Sequence, residues 1–190
     1  MSTLTLKELS APTGEVIKIA SGKTLDLNSQ GTLILPTVPS SKMPTGAVLQ
    51  VVSAKTDTNV VFSQTINSGY TAIGLSVSIT PISTSSKILV TASIAYDLAS
   101  GNHASLHFKL FRGSSLLQQY AHVGYKGGSS TAFHRIGDHP VLYHDSPSST
   151  SALTYSFQGT NSAGSTVSGT YNGAANRYNY STITVMEIQG

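Results

Sequence analysis

Apolar residues follow two patterns along this chain, and the change from one to the other divides it. Between Gly14 and Pro36 they come as isolated pairs two positions apart: Ile17 and Ile19, Leu25 and Leu27, Leu33 and Leu35. Each pair sits eight residues after the last, and Gly14, Gly22 and Gly31 precede the three pairs. The unit is a turn followed by a short strand. Strands this short cannot bury a face alone, as with any solenoid-like unit, so they need neighbours. Other copies of the same chain around a rotation axis are the simplest source. The spacing predicts an intertwined β-stalk over residues 14–42, trimeric, with those six side chains on its axis. The same segment also reads as an arm lying along another protein. Residues 1–13 carry Leu4, Leu6 and Leu9 among polar positions and form an N-terminal arm of undecided structure.

Pro36, Pro39 and Pro44 stiffen the stretch that follows and remove backbone donors. After it, over residues 43–190, the pattern is strand-like throughout. Val48 to Val52, apolar but for Gln50, reads as a buried strand. Val60 to Phe62 suits a short edge strand. Leu75, Val77 and Ile79 alternate with hydroxyl residues up to Pro81, and Ile88, Val90, Ala92 and Ile94 alternate likewise. Leu106, Phe108 and Leu110 lead through Arg112-Gly113-Ser114-Ser115, a hairpin turn, into Leu116 to Tyr120. Val141 to Tyr143, Leu153 to Phe157 and Thr182 to Ile188 complete the set. Residues 99–104, 124–131 and 161–179, rich in Gly, Ser and Asn, read as loops. No stretch sustains a 3.6-residue period. The prediction is all-β: a jelly-roll sandwich behind the stalk.

Composition narrows the chemistry. Only 10% of the 190 residues are charged, against about 25% in typical globular proteins, while 30 Ser and 22 Thr supply hydroxyls instead. The 11 basic residues are scattered and the net charge is +3. A nucleic-acid footprint needs them gathered. There is no cysteine, which excludes disulfides and thiolate metal sites. No secretion signal or membrane-spanning run is visible.

Six histidines invite a metal reading, above all His134, His139 and His144 in one run with Asp138 and Asp145. Their spacing fits no standard site, so the expectation is no metal and no cofactor. Serines abound, but no Gly-x-Ser-x-Gly elbow occurs. Acidic residues beyond Asp57 are limited to Asp97, Asp138, Asp145 and Glu187, a thin supply for acid–base chemistry. Glu187, in the last strand, suits a buried structural hydrogen bond. No enzymatic role is expected. Tyr171, Asn172, Arg177 and Tyr178 lie in the Gly/Asn-rich stretch. Tyr with Ser, Gly and Asn is the chemistry of adaptable recognition surfaces and also suits sugars; tyrosine is equally a good strand residue at solvent boundaries.

Four stretches carry a resemblance. M-P-T-G-A-V-L-Q-V-V at 43–52, G-L-S-V-S-I-T-P at 74–81, S-S-K-I-L-V at 85–90 and the closing strand through Met186-Glu187-Ile188 resemble a family of bacteriophage virion proteins common in phages of cyanobacteria and other aquatic bacteria. The resemblance covers residues 43–95 and 181–190 and leaves 96–180 unmatched. It implies a fibre or structural protein, assembled in the host cytoplasm and carried on the virion. Its globular part would be similar to the trimeric jelly rolls of the tumour-necrosis-factor and C1q type. On that reading the partners are two further copies of the chain, other virion proteins through the N-terminal arm, and a glycan of the host surface, with neither nucleic acid nor membrane insertion. The alternative role is a head decoration or cement protein that clamps capsid subunits.

Overall fold

The computed structural model describes residues 42–58, 60–62, 69–100, 106–122, 133–161, 167–168, 172–173, 177–178 and 180–190, with Ser21 and Pro39. Of residues 61–62, 97–100, 122, 133–136, 161, 167–168, 172–173 and 177–178 it describes the backbone alone. The six stalk positions, Ile17, Ile19, Leu25, Leu27, Leu33 and Leu35, lie outside the described residues, as does the N-terminal arm. The strands below all belong to one compact unit, Pro39–Gly190.

Where the alternation is strongest, eight long strands form: β1 (Val48–Thr56), β3 (Thr71–Ile79), β4 (Lys87–Ser100), β5 (Leu106–Arg112), β6 (Ser115–His122), β7 (Phe133–Asp145), β8 (Leu153–Asn161) and β12 (Ser181–Ile188). Four two-residue strands lie between them: β2 (Val61–Phe62), β9 (Val167–Ser168), β10 (Asn172–Gly173) and β11 (Arg177–Tyr178). No α-helix occurs among the described residues.

The long strands pair from the outside in. β1 pairs with β12, β3 with β8, β4 with β7 and β5 with β6, all antiparallel. This is one long hairpin rolled up, so that nested pairs fall alternately in two sheets. Two further antiparallel pairings, β12 with β4 and β8 with β5, stitch the pairs together. The first sheet runs β1-β12-β4-β7 and the second β3-β8-β5-β6. That is the jelly roll, two Greek keys closed into a sandwich. Beyond β12, β9 joins β4 at Asp97 and carries β2 on its other side.

The core fills from both sheets by period-2 alternation. Ile73, Leu75, Val77 and Ile79 of β3, Leu106, Phe108 and Leu110 of β5, and Tyr155 and Phe157 of β8 meet Ile88, Val90, Ala92 and Ile94 of β4, Val141 of β7, and Ile183 and Val185 of β12. β3 ends at Ile79, just before Pro81, whose ring could not donate to the ladder. Between Ala72 and Ser76, β3 bulges away from β8. Gly74 takes a positive φ of 71° there, a conformation that a side chain would strain.

Three sequence expectations need correction. Val48 to Val52 is not a buried strand. β1 forms the edge of its sheet, so Val48 and Val51 stay 49% and 54% exposed while Val52 and Ala54 pack on the core. An apolar run cannot tell an edge from a centre. The strand expected at Val141 to Tyr143 spans the whole of β7, histidine run included, because β4 supplies ladder partners from Ile88 to Ser100. The loops expected at 99–104 and 161–179 are shorter than drawn: Ala99 and Ser100 belong to β4, Asn161 to β8, and β9, β10 and β11 occupy parts of the second.

Candidate recognition surface

Strand polarity gives the sandwich two unlike ends. At one, the chain comes in through residues 43–47 and finishes at Gly190. Gly46 donates its N–H to the Gln189 carbonyl and Gln189 donates back to Ala47, both at 2.8 Å. The rungs Val48–Ile188, Ile88–Asp145, Ile79–Leu153 and Arg112–Ser115 lie here. So do the tight connections: the Pro81–Ser86 turn, the Gly113–Ser114 hairpin and residues 146–152. At the other end the final rungs are Thr56–Ser181, Ser100–Phe133, Thr71–Gly159 and Leu106–His122. The longest connections between the long strands, 57–70, 123–132 and 162–180, therefore leave from the end opposite the incoming chain, because each strand that precedes one runs away from it.

Of the candidate contact residues, Asn172, Arg177 and Tyr178 fall in the β10–β11 hairpin, with Asn172 opposite Tyr178 and Gly173 opposite Arg177. Tyr171 lies outside the described residues.

Among the described side chains, His139 and His144 do not gather. His139 and His144 sit on one strand at odd and even positions, so they face opposite sides of it. His139 turns inward, with its ring 5.4 Å from Phe108 and 5.8 Å from Tyr120. His144 is exposed, and of His134 the backbone alone is described. Among the described residues no three metal-ligating side chains converge. Burial lowers the His107 pKa and raises that of Tyr120, with Tyr143 adding to the rise. On the second sheet's outer side, the Lys109 ammonium lies 3.7 Å from the Tyr70 ring centre.

Two polar knots close the end where the chain comes in, and the sequence pointed to one of them. Asp145, at the end of β7, accepts from Arg112 Nη1 on both carboxylate oxygens at 2.7 Å. The Tyr155 hydroxyl donates to it at 2.6 Å and the Ser146 N–H at 2.8 Å. Arg112 and Tyr155 belong to the second sheet and Asp145 to the first, so the knot ties the sandwich shut. The bond to Asp145 raises the Arg112 pKa. Burial, then the Asp145 hydrogen bond, pushes the Tyr155 phenol far above its ordinary value.

Glu187 forms the second knot. It is fully buried and accepts from Gln50 Nε2 at 2.6 Å and the Ile82 N–H at 2.7 Å. Gln50 donates also to the Thr80 carbonyl at 2.7 Å. Burial alone would raise the Glu187 pKa. The Gln50 and Ile82 donors, with Ser86 and Ser83 close by, outweigh it and hold the carboxyl below its ordinary value. Nothing in this arrangement presents a nucleophile or a paired acid and base to solvent.

No protein-family model matches the sequence, and no curated protein matches it. A similar structure is a chain of "Structure of infectious bursal disease virus Gx strain", at 12% identity and a TM-score of 0.37, over 83% of this chain and 38% of that one. The chain thus spans well under half the length of that neighbour, and a superposition at this level assigns neither family nor role.

Proposed function

We propose that this chain is a structural protein of a bacteriophage virion: a homotrimeric fibre or spike whose N-terminal segment attaches to the particle and whose jelly roll binds the host surface. One observation carries the reading. The chain comes in at one end of the sandwich and the long connections leave from the other, as a projecting binder requires. The resemblance at residues 43–95 and 181–190 supplies the virion context, and the jelly-roll topology agrees with it. The role is binding without catalysis. A cell-surface glycan is the partner whose chemistry suits Tyr171, Asn172, Arg177 and Tyr178. Three copies turn weak single-site contacts into useful avidity.

The test replaces Tyr171 and Tyr178 by Ala in the intact phage and measures adsorption to the host together with heat resistance of the particle. Lost adsorption with unchanged particles supports the binder. Normal adsorption with fragile particles would assign the chain to head decoration instead, and no change in either would remove the far end from function.

A further inference from the structure

We propose that the outer face of the second sheet carries a binding site for an acidic sugar residue, seated in a hollow at the β3 bulge with its carboxylate on Lys109. The inference rests on the host-binding reading above for the source of the sugar, and on this face alone for its chemistry.

The hollow follows from strand pairing. Between Ala72 and Ser76 the ladder to β8 is interrupted, so Ile73, Gly74 and Leu75 stand against Phe157 alone. The surplus backbone bends β3 and leaves a hollow of about 160 Å³, with Ala72, Ser76, Ser156 and Gln158 among its walls. At about 30 Å³ of liquid per water, that is room for about five waters, the size of one sugar ring.

The polar groups of this hollow are unclaimed. Two residues further along the same strands, the paired Ser78 and Thr154 bond to each other at 2.8 Å. Ser76 and Ser156 are paired in the same way. Yet neither hydroxyl has a hydrogen-bond partner among the described residues, and nor has the Gln158 amide. A hydroxyl donates and accepts, and so does a primary amide. A sugar ring offers the matching set, since each of its hydroxyls also does both.

Charge selects an acidic sugar. Ala72, Gln158 and Lys109 stand in one row across β3, β8 and β5. From β5 the Lys109 side chain reaches back across β8, for its ammonium lies 3.7 Å from the ring centre of Tyr70, the residue just before β3. The charge therefore stands at the far-end rim of the hollow. Among the described residues it has no carboxylate partner; the ion pair found there joins Arg112 to Asp145. A cation held against an aromatic ring is already partly desolvated and ordered, so an incoming carboxylate loses less to ordering it. A single ammonium, with no arginine fork beside it among the described residues, suits a carboxylate better than a phosphate.

Titration calorimetry of the full chain with trigalacturonate, neutral galactotriose and sodium acetate tests the site. Trigalacturonate should bind about tenfold tighter than galactotriose, the worth of one hydrogen bond to a charged group. Acetate, with no ring to fill the hollow, should bind far more weakly than either. Lys109→Gln should bring trigalacturonate level with galactotriose, and Lys109→Arg should restore the difference. Ser156→Ala and Gln158→Ala should each weaken both sugars about threefold to fivefold. Tyr178→Ala, in the far-end hairpin, should change nothing. Trigalacturonate that does not bind, or that binds Lys109→Gln as tightly as wild type, overturns the site and leaves the host-binding reading standing. Acetate as tight as trigalacturonate overturns it also, leaving a bare anion contact. Lost sugar binding in Lys109→Gln, with normal adsorption of phage carrying it, supports the site and detaches it from host binding. Should Lys109→Gln melt early, Ser156→Ala and Gln158→Ala decide, and unchanged binding in both overturns the site.

Discussion

Asp145 and Glu187 are both buried carboxylates, both close the end of the sandwich where the chain comes in, and they are held in opposite ways. Asp145 has a cation, Arg112, and a phenol to either side of its charge. Glu187 has among its described partners only neutral donors: the Gln50 amide and the Ile82 N–H. A charge can be buried either way if its lone pairs are filled, but the two solutions should fail differently. Removing Asp145 strands a positive charge beside a buried phenol. Removing the charge of Glu187 leaves only neutral groups, some facing the wrong way. The Asp145 knot joins the two sheets, whereas the Glu187 knot pins the Pro81–Ser86 turn onto β1 and β12.

The largest effect should therefore come from Asp145→Ala. Breaking a buried pair by removing one partner costs about 3–5 kcal/mol, and Arg112 retains 27% exposure, which puts the expected loss near the lower end. Urea unfolding of the variant measures it; a loss below about 1 kcal/mol, the net worth of an ordinary hydrogen bond, would reduce the knot to a surface ion pair. Glu187→Gln comes next, at about 2 kcal/mol, because an amide nitrogen then faces a donor and leaves it unsatisfied. Tyr155→Phe removes one hydrogen bond to a charged acceptor and should cost about 1.5 kcal/mol, with Arg112 still holding Asp145.

The smallest effect sharpens the contrast through pH. The folded-state pKa of Glu187 lies below its unfolded value, so on acidification the unfolded chain takes up the proton first. Its stabilisation is present above about pH 5, where an unfolded glutamate is ionised, and is lost as pH falls through the depressed folded value. Melting temperatures of wild type and Glu187→Gln should thus begin to converge as pH falls below the unfolded value of about 4.3. Parallel curves from pH 7 to pH 3 would show that the charge of Glu187 contributes nothing.

Much of the fold was legible because alternation is local. Leu75, Val77 and Ile79 face the core in β3 for the same reason that Ser76 and Ser78 do not: a strand turns every second side chain to the other side. The hairpin at Gly113 could be read from its turn residues, and Gly113 takes the positive φ of 56° that such a turn asks for. Glu187 could be marked as a buried hydrogen-bonding group from its place in an apolar strand.

Its partners could not. Gln50 is 137 positions away and Ile82 is 105, and only the rolled hairpin, which lays β12 beside β1, brings them together. Asp145 looked like one more polar residue in a histidine run until β5 and β8 delivered Arg112 and Tyr155 to it. The edge character of Val51 likewise depends on strand order, a property of the whole topology that no window of residues contains. Side-chain direction is set by steric preferences one residue at a time, so sequence carries it. Which strands become neighbours is set by which pairing buries the most apolar surface across the whole domain, so only the assembled sandwich decides it.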